Sequence, residues 1–342
     1  MESKVINDLF DINVLPFNFA EEVDDIGRFS FSKVFKSIER GIDIINRLLF
    51  FRPNLVYFNV SLYGFALYRD AIYVLIFKIF RSRLLFHLRT QGVKQQVERS
   101  KMKKWLFMFM FKGTHVVSLS QFLGGDIEDV YSKKPIIVNN GILDVSQQYK
   151  KSEFEKDQAP QILFLAHLWK FKGLPELFEA FQMLKVRNVD FNAVVAGPDG
   201  DLTRDSLESL ANELGLKNEV AVVGPKFADE KNQLFRDSDI FVLPTRFEGF
   251  PGAILEAMQF ELPVVATIEG AIPEIVDDGV TGFLVRKENA LEIADRLEQL
   301  LRDESLRLKL GKAGRVKFKD KYDLSLFEVN MANVFTQLLK TK

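Results

Sequence analysis

Cysteine is absent from this 342-residue chain. Its absence excludes disulfides, thiolate metal sites and a cysteine nucleophile, and it fits a reducing compartment. Histidine is scarce, since the chain contains only His87, His115 and His167. A metal centre built from several histidines is therefore not expected.

Two features of secreted and membrane-spanning proteins are also missing. The N-terminal residues MESKVINDLF carry charges and lack a long apolar core, so they do not predict a signal peptide. The most apolar stretch, residues 62–88, falls short of the ~20 apolar residues that span a bilayer. It is interrupted by Arg69, Asp70, Lys78, Arg81 and Arg83. These observations predict a cytoplasmic protein.

Charge is unevenly distributed along the chain. Residues 1–150 contain 21 Lys+Arg against 15 Asp+Glu, a net charge of +6, whereas the remainder contains 25 against 32, a net charge of −7. A basic region rich in Phe, Leu and Ile suits either nucleic acid or an anionic membrane surface. We favour peripheral contact with the inner face of the cell membrane, because the aromatic residues sit among aliphatic ones. No nucleic-acid partner is expected.

Two predicted helices carry this basic and apolar character. By default, we interpret the apolar and basic segments 66–86 and 101–112 as core helices. The second also suits an interfacial surface, because lysines surround Trp105 and its neighbouring phenylalanines. These lysines are Lys101, Lys103, Lys104 and Lys112.

Short apolar runs alternate with helical patterns in both halves of the chain, which is typical of parallel sheets covered on both faces. The first half predicts strands at 12–15, 55–58, 84–88, 115–120 and 136–138. A polar linker at 147–160 follows, and the alternation then restarts. The predicted fold is α/β, with two doubly wound Rossmann-like domains facing a cleft that holds the ligand. The domains would span residues 1–148, completed by a C-terminal helix near 325–342, and residues 160–324.

The stretch FVLPTRFEGFPGAILE, residues 241–256, predicts a strand, a glycine-containing turn and a short helix. This arrangement aims backbone N–H groups at an anion. Glu248 and Glu256 flank the predicted anion site. Because carboxylates would repel a bare phosphate, they suit hydroxyl groups better. A ligand with both phosphates and hydroxyls, such as a sugar nucleotide, is the expected partner.

These residues also carry a family resemblance. Glu248 and Glu256, with seven residues between them, match an E-x7-E signature, and the runs PVVA, GAIPEIV and DGVTGFLV follow in order. Residues 136–320 resemble the nucleotide-binding domain of the retaining, GT-B-fold glycosyltransferases of the group 1 family, family 4 type. The resemblance implies that Glu256 binds ribose hydroxyls and that Glu248 lies near the donor sugar. It also implies that the N–H groups of Gly249 and Phe250 face the diphosphate.

Three further positions follow from the resemblance. The run AHLWKFKG, residues 166–173, is similar to the family's G-R-L-x-x-x-K-G, so Lys172 is expected to bind the diphosphate. His167 stands where arginine is usual, and a neutral histidine donates only one hydrogen bond. Gly197 lies in a glycine turn that the family places beside the nucleotide. Donor-binding residues would thus include His167, Lys172 and Gly197, and no metal or other cofactor is expected.

The triplet Asp237-Ser238-Asp239 has the form of a D-x-D metal motif. We interpret it as structural, because it directly precedes the strand predicted at 240–243. Lys172 and the helix N-terminus would take the place of a cation.

The N-terminal half resembles the family only weakly. His87 ends a predicted strand where related enzymes often have a histidine near the donor sugar and the acceptor, although Arg89 could occupy that place instead. The family's first strand and glycine-rich loop have no counterpart, since 12–15 looks like a second strand. We therefore expect an N-terminal domain without its first strand, through truncation, a misassigned start codon or true loss.

The sequence thus predicts an enzyme, a retaining glycosyltransferase. It would move a sugar from a nucleoside-diphosphate sugar to a hydroxyl of a glycan or lipid-linked acceptor, as in polysaccharide, lipopolysaccharide or capsule biosynthesis. Glu248, His87 and Lys172 are the predicted catalytic residues. Two alternatives stay open: a catalytically impaired nucleotide-sugar-binding or partner subunit of the same fold, and a sugar-nucleotide epimerase.

Overall fold

The structure is a computed structural model that describes residues 3–17, 31–150 and 159–340. The chain divides into two compact units. Unit 1 contains the residues up to Asn139 together with those from Phe327 onward, and unit 2 contains Asn140–Leu326.

The described part of unit 1 contains a four-stranded parallel sheet whose strand order follows the chain. The strands are β1 (Val56–Asn59), β2 (Leu84–Leu88), β3 (His115–Ser118) and β4 (Ile136–Ile137). Strand β2 is buried at every position, because it lies inside the sheet and helices cover both faces.

Helices pack on both faces of this sheet. They are α1 (Lys4–Leu9), α2 (Phe31–Phe50), α3 (Gly64–Ile79), α4 (Val93–Arg99), α5 (Lys101–Phe111), α6 (Gln121–Gly125) and α14 (Leu324–Lys340). Phe86 and its neighbours on one face form a core with α2, α3, α4 and α5. Leu85 and Val117 on the other face pack against α1 and α14.

One prediction for the first half was wrong, and one helix was missed. Residues 12–15 form no strand; Ile12 and Leu15 instead contact the two cores of unit 1, and the Val14 carbonyl accepts a hydrogen bond from Arg47 at 3.2 Å. The next residue is Pro16, which cannot donate to a sheet ladder. Helix α4 was not predicted, because its seven residues are too few to show a clear helical period.

The predicted linker at 147–160 is only partly visible in the structure. Residues 151–158 lie outside the described residues, and Ser146–Gln148 form a 3-10 helix. The Tyr149 hydroxyl donates to Asp229 at 2.6 Å, a contact within unit 2.

Unit 2 contains a six-stranded parallel sheet in the order β10-β9-β8-β5-β6-β7. The strands are β5 (Gln161–Leu165), β6 (Asn192–Ala196), β7 (Val220–Gly224), β8 (Ile240–Leu243), β9 (Val264–Thr267) and β10 (Gly282–Val285). The strand order reverses at β5, which lies between β6 and β8. Ligands of such sheets bind at this reversal, beyond the carboxyl ends of the strands.

Helices flank the sheet of unit 2. They are α7 (Leu174–Val186), α8 (Arg204–Glu213), α9 (Ala228–Asp237), α10 (Gly252–Gln259), α11 (Ile272–Ile275), α12 (Ala290–Arg302) and α13 (Glu304–Lys321). Their apolar faces and the strands enclose one core. Among all helices in the described ranges, none combines the length and the hydrophobicity needed to cross a membrane.

Candidate functional site

Two loops meet where the strand order of unit 2 reverses. The loop after β5 contains a 3-10 helix, Lys170–Lys172, and the loop after β8 leads into α10. The Arg246 amide donates to the Phe171 carbonyl at 2.7 Å, and the Thr245 hydroxyl donates to the same oxygen at 3.3 Å. Gly173 lies so close to the second loop that a Cβ would fall 2.0 Å from the Pro244 oxygen. The two loops therefore form one joined structure.

An ion pair links the two loops. Lys172 Nζ lies 2.6 Å from Glu248 Oε2, and both side chains are largely buried. Glu248 Oε1 also accepts a hydrogen bond from the Gly249 amide at 3.1 Å. Gly270 supports this turn from behind, since a Cβ there would lie 2.1 Å from the Glu248 carbonyl oxygen. The structure thus brings together two residues that were predicted from separate motifs.

Glu256 has a different partner. It lies on the second turn of α10, and its Oε1 lies 2.5 Å from Nζ of Lys231 on α9. Each glutamate of the E-x7-E signature is therefore paired with a lysine. At the start of α10, Pro251 provides no side-chain cap, and the Ile254 amide donates to the Pro251 carbonyl at 3.3 Å. The ring of Phe250 packs edge-on against Tyr322, with ring centroids 6.2 Å apart.

His167 belongs to the same loop as Lys172. Its ring stacks on Trp169 at 4.7 Å between centroids, and Trp169 stacks on Phe171 at 5.0 Å. Burial lowers the pKa of His167, and the nearby Lys172 ammonium lowers it further. The imidazole is therefore neutral near pH 7 and offers one N–H donor.

Gly197 follows β6 and lies beside the His167 loop. Its amide donates to the Gly224 carbonyl at 2.9 Å, and the Ala166 amide donates to Ala196 at 3.2 Å. The ends of three neighbouring strands, β5, β6 and β7, thus meet at Gly197, next to the loop that contains His167 and Lys172.

The Asp237-Ser238-Asp239 triplet makes structural contacts. Asp239 accepts a hydrogen bond from the Gln161 amide at 2.8 Å, and Asp237 accepts one from Gln233 at 3.0 Å. In the described ranges no group of three or more His, Asp or Glu residues could hold a metal ion. The structural interpretation of the triplet agrees with these contacts, while metal independence stays a prediction.

His87 lies in unit 1, inside β2, with only 1% of its surface exposed. Nδ1 is hydrogen-bonded to the Tyr57 hydroxyl, and Nε2 is buried without a partner in the described residues. Burial and the nearby Arg89 lower the pKa of His87 to about 3. Arg89, the other candidate at this strand end, is exposed. A catalytic role for His87 stays a prediction.

Two residues of the site were not predicted. Lys231 lies on α9, 25 residues before Glu256, and no local pattern connects them. Arg246 pairs with Glu176 near the start of α7 and, at 2.8 Å, with Glu288. Glu176 is a buried acid in the first turn of an apolar helix, and that position could have suggested a basic partner.

Comparison with known proteins identifies the family. The sequence pattern described as "Glycosyl transferases group 1" matches residues 145–317, which is half of the chain. The chain belongs to this family. A relative, the capsular polysaccharide biosynthesis glycosyltransferase CapM of Staphylococcus aureus, is 26% identical over 250 residues, covering 68% of this chain and 63% of CapM. A D-inositol 3-phosphate glycosyltransferase of Corynebacterium aurimucosum is 31% identical over 182 residues, covering 52% of this chain and 43% of the relative.

Solved structures share the fold. Sucrose-phosphate synthase of Thermosynechococcus elongatus superposes with a TM-score of 0.75 at 18% identity, covering 92% of this chain and 81% of that one. HepE of Anabaena in complex with UDP gives a TM-score of 0.72 at 20% identity, covering 87% and 82%. These similarities, together with the two parallel-sheet units, confirm the predicted α/β fold of the GT-B class.

Proposed function

We propose that the chain is a retaining glycosyltransferase that uses a nucleoside-diphosphate sugar. The main observation that supports this proposal is the Lys172–Glu248 ion pair. It joins the two loops at the point where the strand order of unit 2 reverses. A donor needs a cation for its diphosphate and carboxylates for its hydroxyls. The solved HepE complexes with UDP and with UDP-glucose support a nucleotide-sugar donor.

Lys172 and the N–H groups at the start of α10 would bind the diphosphate. Negative charge accumulates on this group as it leaves the sugar, so a fixed ammonium and fixed N–H dipoles stabilise the transition state. Neutral His167 would add one hydrogen bond, and the glycine turn at Gly197 would leave room for the nucleotide. This scheme requires no metal ion, so transferase activity should persist in EDTA. A loss of activity in EDTA that Mg²⁺ restores would contradict metal independence.

Glu256 would accept hydrogen bonds from the ribose hydroxyls, and Glu248 would hold the donor sugar. Each would exchange its lysine for donor hydroxyls, which leaves Lys172 and Lys231 facing the donor's negative charge. The acceptor hydroxyl would attack the anomeric carbon from the face that the diphosphate leaves. The carbon–oxygen bond to the diphosphate would break, and the departing phosphate oxygen would take the hydroxyl proton, so no protein nucleophile is needed.

A lipid-linked or cell-surface glycan precursor is the proposed acceptor, reached at the cytoplasmic face of a membrane. The relation to CapM, which is named for capsular polysaccharide biosynthesis, supports this class of acceptor. The basic first half of the sequence supports contact with an anionic membrane.

Calorimetric titration with UDP, GDP and dTDP tests the donor site. Lys172→Ala and Glu256→Ala should each weaken binding of the preferred nucleotide roughly ten- to hundredfold, because each removes a charge-assisted hydrogen bond. Lys170→Ala and Glu213→Ala are the matched controls, since both side chains are exposed and lie outside the proposed contacts. Unchanged affinity in both site variants would overturn the assignment.

Product analysis separates the alternatives. Incubation with a panel of nucleotide sugars and a membrane extract should yield a glycosylated lipid or glycan, identified by mass spectrometry. Nucleotide binding without transfer would favour a partner subunit, and interconversion of sugars without an acceptor would favour an epimerase.

A further inference from the structure

Helix α3 presents a regular apolar stripe on its outer side. Tyr68, Ile72, Leu75 and Ile79 recur at three- or four-residue spacing and are all exposed, Ile72 to 59%. The opposite side of α3, which includes Leu67 and Val74, is buried in the core of unit 1. This helix is therefore apolar on both sides, a pattern that indicates a second apolar contact in addition to the core.

Helix α5 combines apolar and basic side chains on its outer side. Trp105 is 68% exposed, and Met108 follows one turn later. Lys101, Lys104 and Lys112 are exposed and lie three or four residues from Trp105 or Met108. An aromatic ring among lysines at helical spacing is typical of a helix that lies in the headgroup layer of a membrane.

The two helices form one continuous surface. Lys78 of α3 donates to the Lys112 carbonyl at 2.7 Å, just beyond α5, and its ammonium lies 4.8 Å from the centre of the Phe109 ring. In α3 and α5 together Asp70 is the only acidic residue, and it is buried in a pair with Arg69 at 2.7 Å. We call the exposed side of these helices the α3–α5 face. Its outer side is apolar and basic, without an exposed carboxylate.

We propose that the α3–α5 face binds an anionic lipid bilayer. Trp105 and the aliphatic side chains of α3 enter the boundary between headgroups and acyl chains, and the lysines of α5 contact lipid phosphates. The inference deepens the proposed function and rests on it for its purpose, since it assigns the surface by which the enzyme meets a lipid-linked acceptor.

Charge favours a bilayer over a second copy of this chain. A two-fold contact through the α3–α5 face would place the same basic surface on both sides, and Lys101 and Lys104 would then meet lysines rather than carboxylates. An anionic bilayer supplies both the apolar layer and the opposite charge. A dimer that uses this face is therefore an outcome that would contradict the proposal.

Flotation with lipid vesicles tests the proposal on the full chain without a donor. Wild-type protein should float with vesicles of phosphatidylcholine and phosphatidylglycerol and bind vesicles of phosphatidylcholine alone much more weakly. The variant Lys101→Glu/Lys104→Glu should lower the partition coefficient on anionic vesicles at least about tenfold, since two contacts with lipid phosphates become repulsive. Ile72→Ser should also weaken binding.

Matched controls lie on unit 2. Lys217→Glu/Lys309→Glu changes the net charge by the same amount at exposed positions, and Leu308→Ser removes an apolar side chain of similar exposure, 55%. Both should bind vesicles as the wild type does. Trp105 fluorescence should shift to shorter wavelength with anionic vesicles, and Trp105→Phe should abolish the shift.

Three results would overturn the proposal: equal binding to both kinds of vesicle, wild-type binding by the lysine variant, or a lipid-free dimer that the same substitutions dissociate. Calorimetric nucleotide binding by the lysine variant separates this test from the donor site. Lost vesicle binding with retained nucleotide binding supports the membrane surface, whether or not the proposed transfer reaction is correct.

Discussion

At the scale of single residues, the imidazole of His87 lies in a buried environment that favours its neutral form. Its Nδ1 contacts Tyr57, Phe327 stacks on the ring at 6.3 Å, and Nε2 is buried. Burial is the main cause of its lowered pKa, with Arg89 as a second cause. Protonation would place an unsolvated charge in the core of unit 1, so this residue links folding to pH.

The direction in which stability changes with pH can be tested. Because the pKa is about 3 in the folded chain and ~6.5 when unfolded, the unfolded state binds more protons between these values. The contribution of His87 to stability is therefore complete above pH ~6.5 and falls as pH decreases, by on the order of 4 kcal/mol at pH 3. His87→Gln should make the free energy of unfolding depend less on pH between pH 7 and pH 4, as measured by urea unfolding.

The comparison of wild type with variant isolates His87 from the carboxylates that titrate in the same range. His115→Gln is the matched control, because that histidine is only partly buried. Parallel profiles for wild type and His87→Gln would contradict the assigned burial of a neutral imidazole.

At the scale of elements, the Arg246–Glu176 pair attaches the loop after β8 to the first turn of α7. Glu176 is buried, and Arg246 also reaches Glu288. Neither residue is proposed to touch the donor. They hold the backbone that positions Lys172 and Glu248, so Arg246 and Glu176 are positioning residues.

Loss of this pair should reduce donor affinity as well as stability. Arg246→Ala should lower the free energy of unfolding by roughly 1–3 kcal/mol, because it leaves a buried carboxylate unpaired. At a temperature where the variant is folded, calorimetry should show nucleotide binding weakened roughly threefold or more. Glu179→Gln, an exposed change on the same helix, should alter neither quantity. If Arg246→Ala lowers stability but binds nucleotide as tightly as the wild type does, the pair has a structural role only.

The candidate site residues expected from the sequence are those that lie in recognisable motifs. Glu248 and Glu256 were expected from a strand, turn and helix pattern, and Lys172 and Gly197 from the family resemblance. Their roles in donor binding stay predictions. Lys231 could not be located, because its contact with Glu256 depends on how α9 and α10 pack. The strand expected at 12–15 failed for a related reason: its apolar residues contact two cores instead of alternating across a sheet.

At the scale of the whole molecule, the sequence predicted two α/β units because the alternation of strands and helices restarts after the polar stretch at 147–160. Burial of continuous apolar runs such as β2 and β8 confirmed the parallel sheets. The strand order of unit 2 could not be predicted from these runs, since every buried parallel strand has the same apolar pattern.

The paired lysines of unit 2 have a consequence for the speed of donor capture. Lys172 and Lys231 are each neutralised by a glutamate before the donor arrives, so the site projects little positive field into solvent. Unit 2 also lies in the acidic part of the chain. A negatively charged nucleotide sugar would therefore find the site by ordinary diffusion, without electrostatic steering.

Stopped-flow association rates for a fluorescent nucleotide analogue should change less than about threefold between low and physiological salt. A steep fall with salt would show that the lysines attract the donor at long range. Glu248→Gln and Glu256→Gln would release the lysines and should make association faster at low salt and more sensitive to salt.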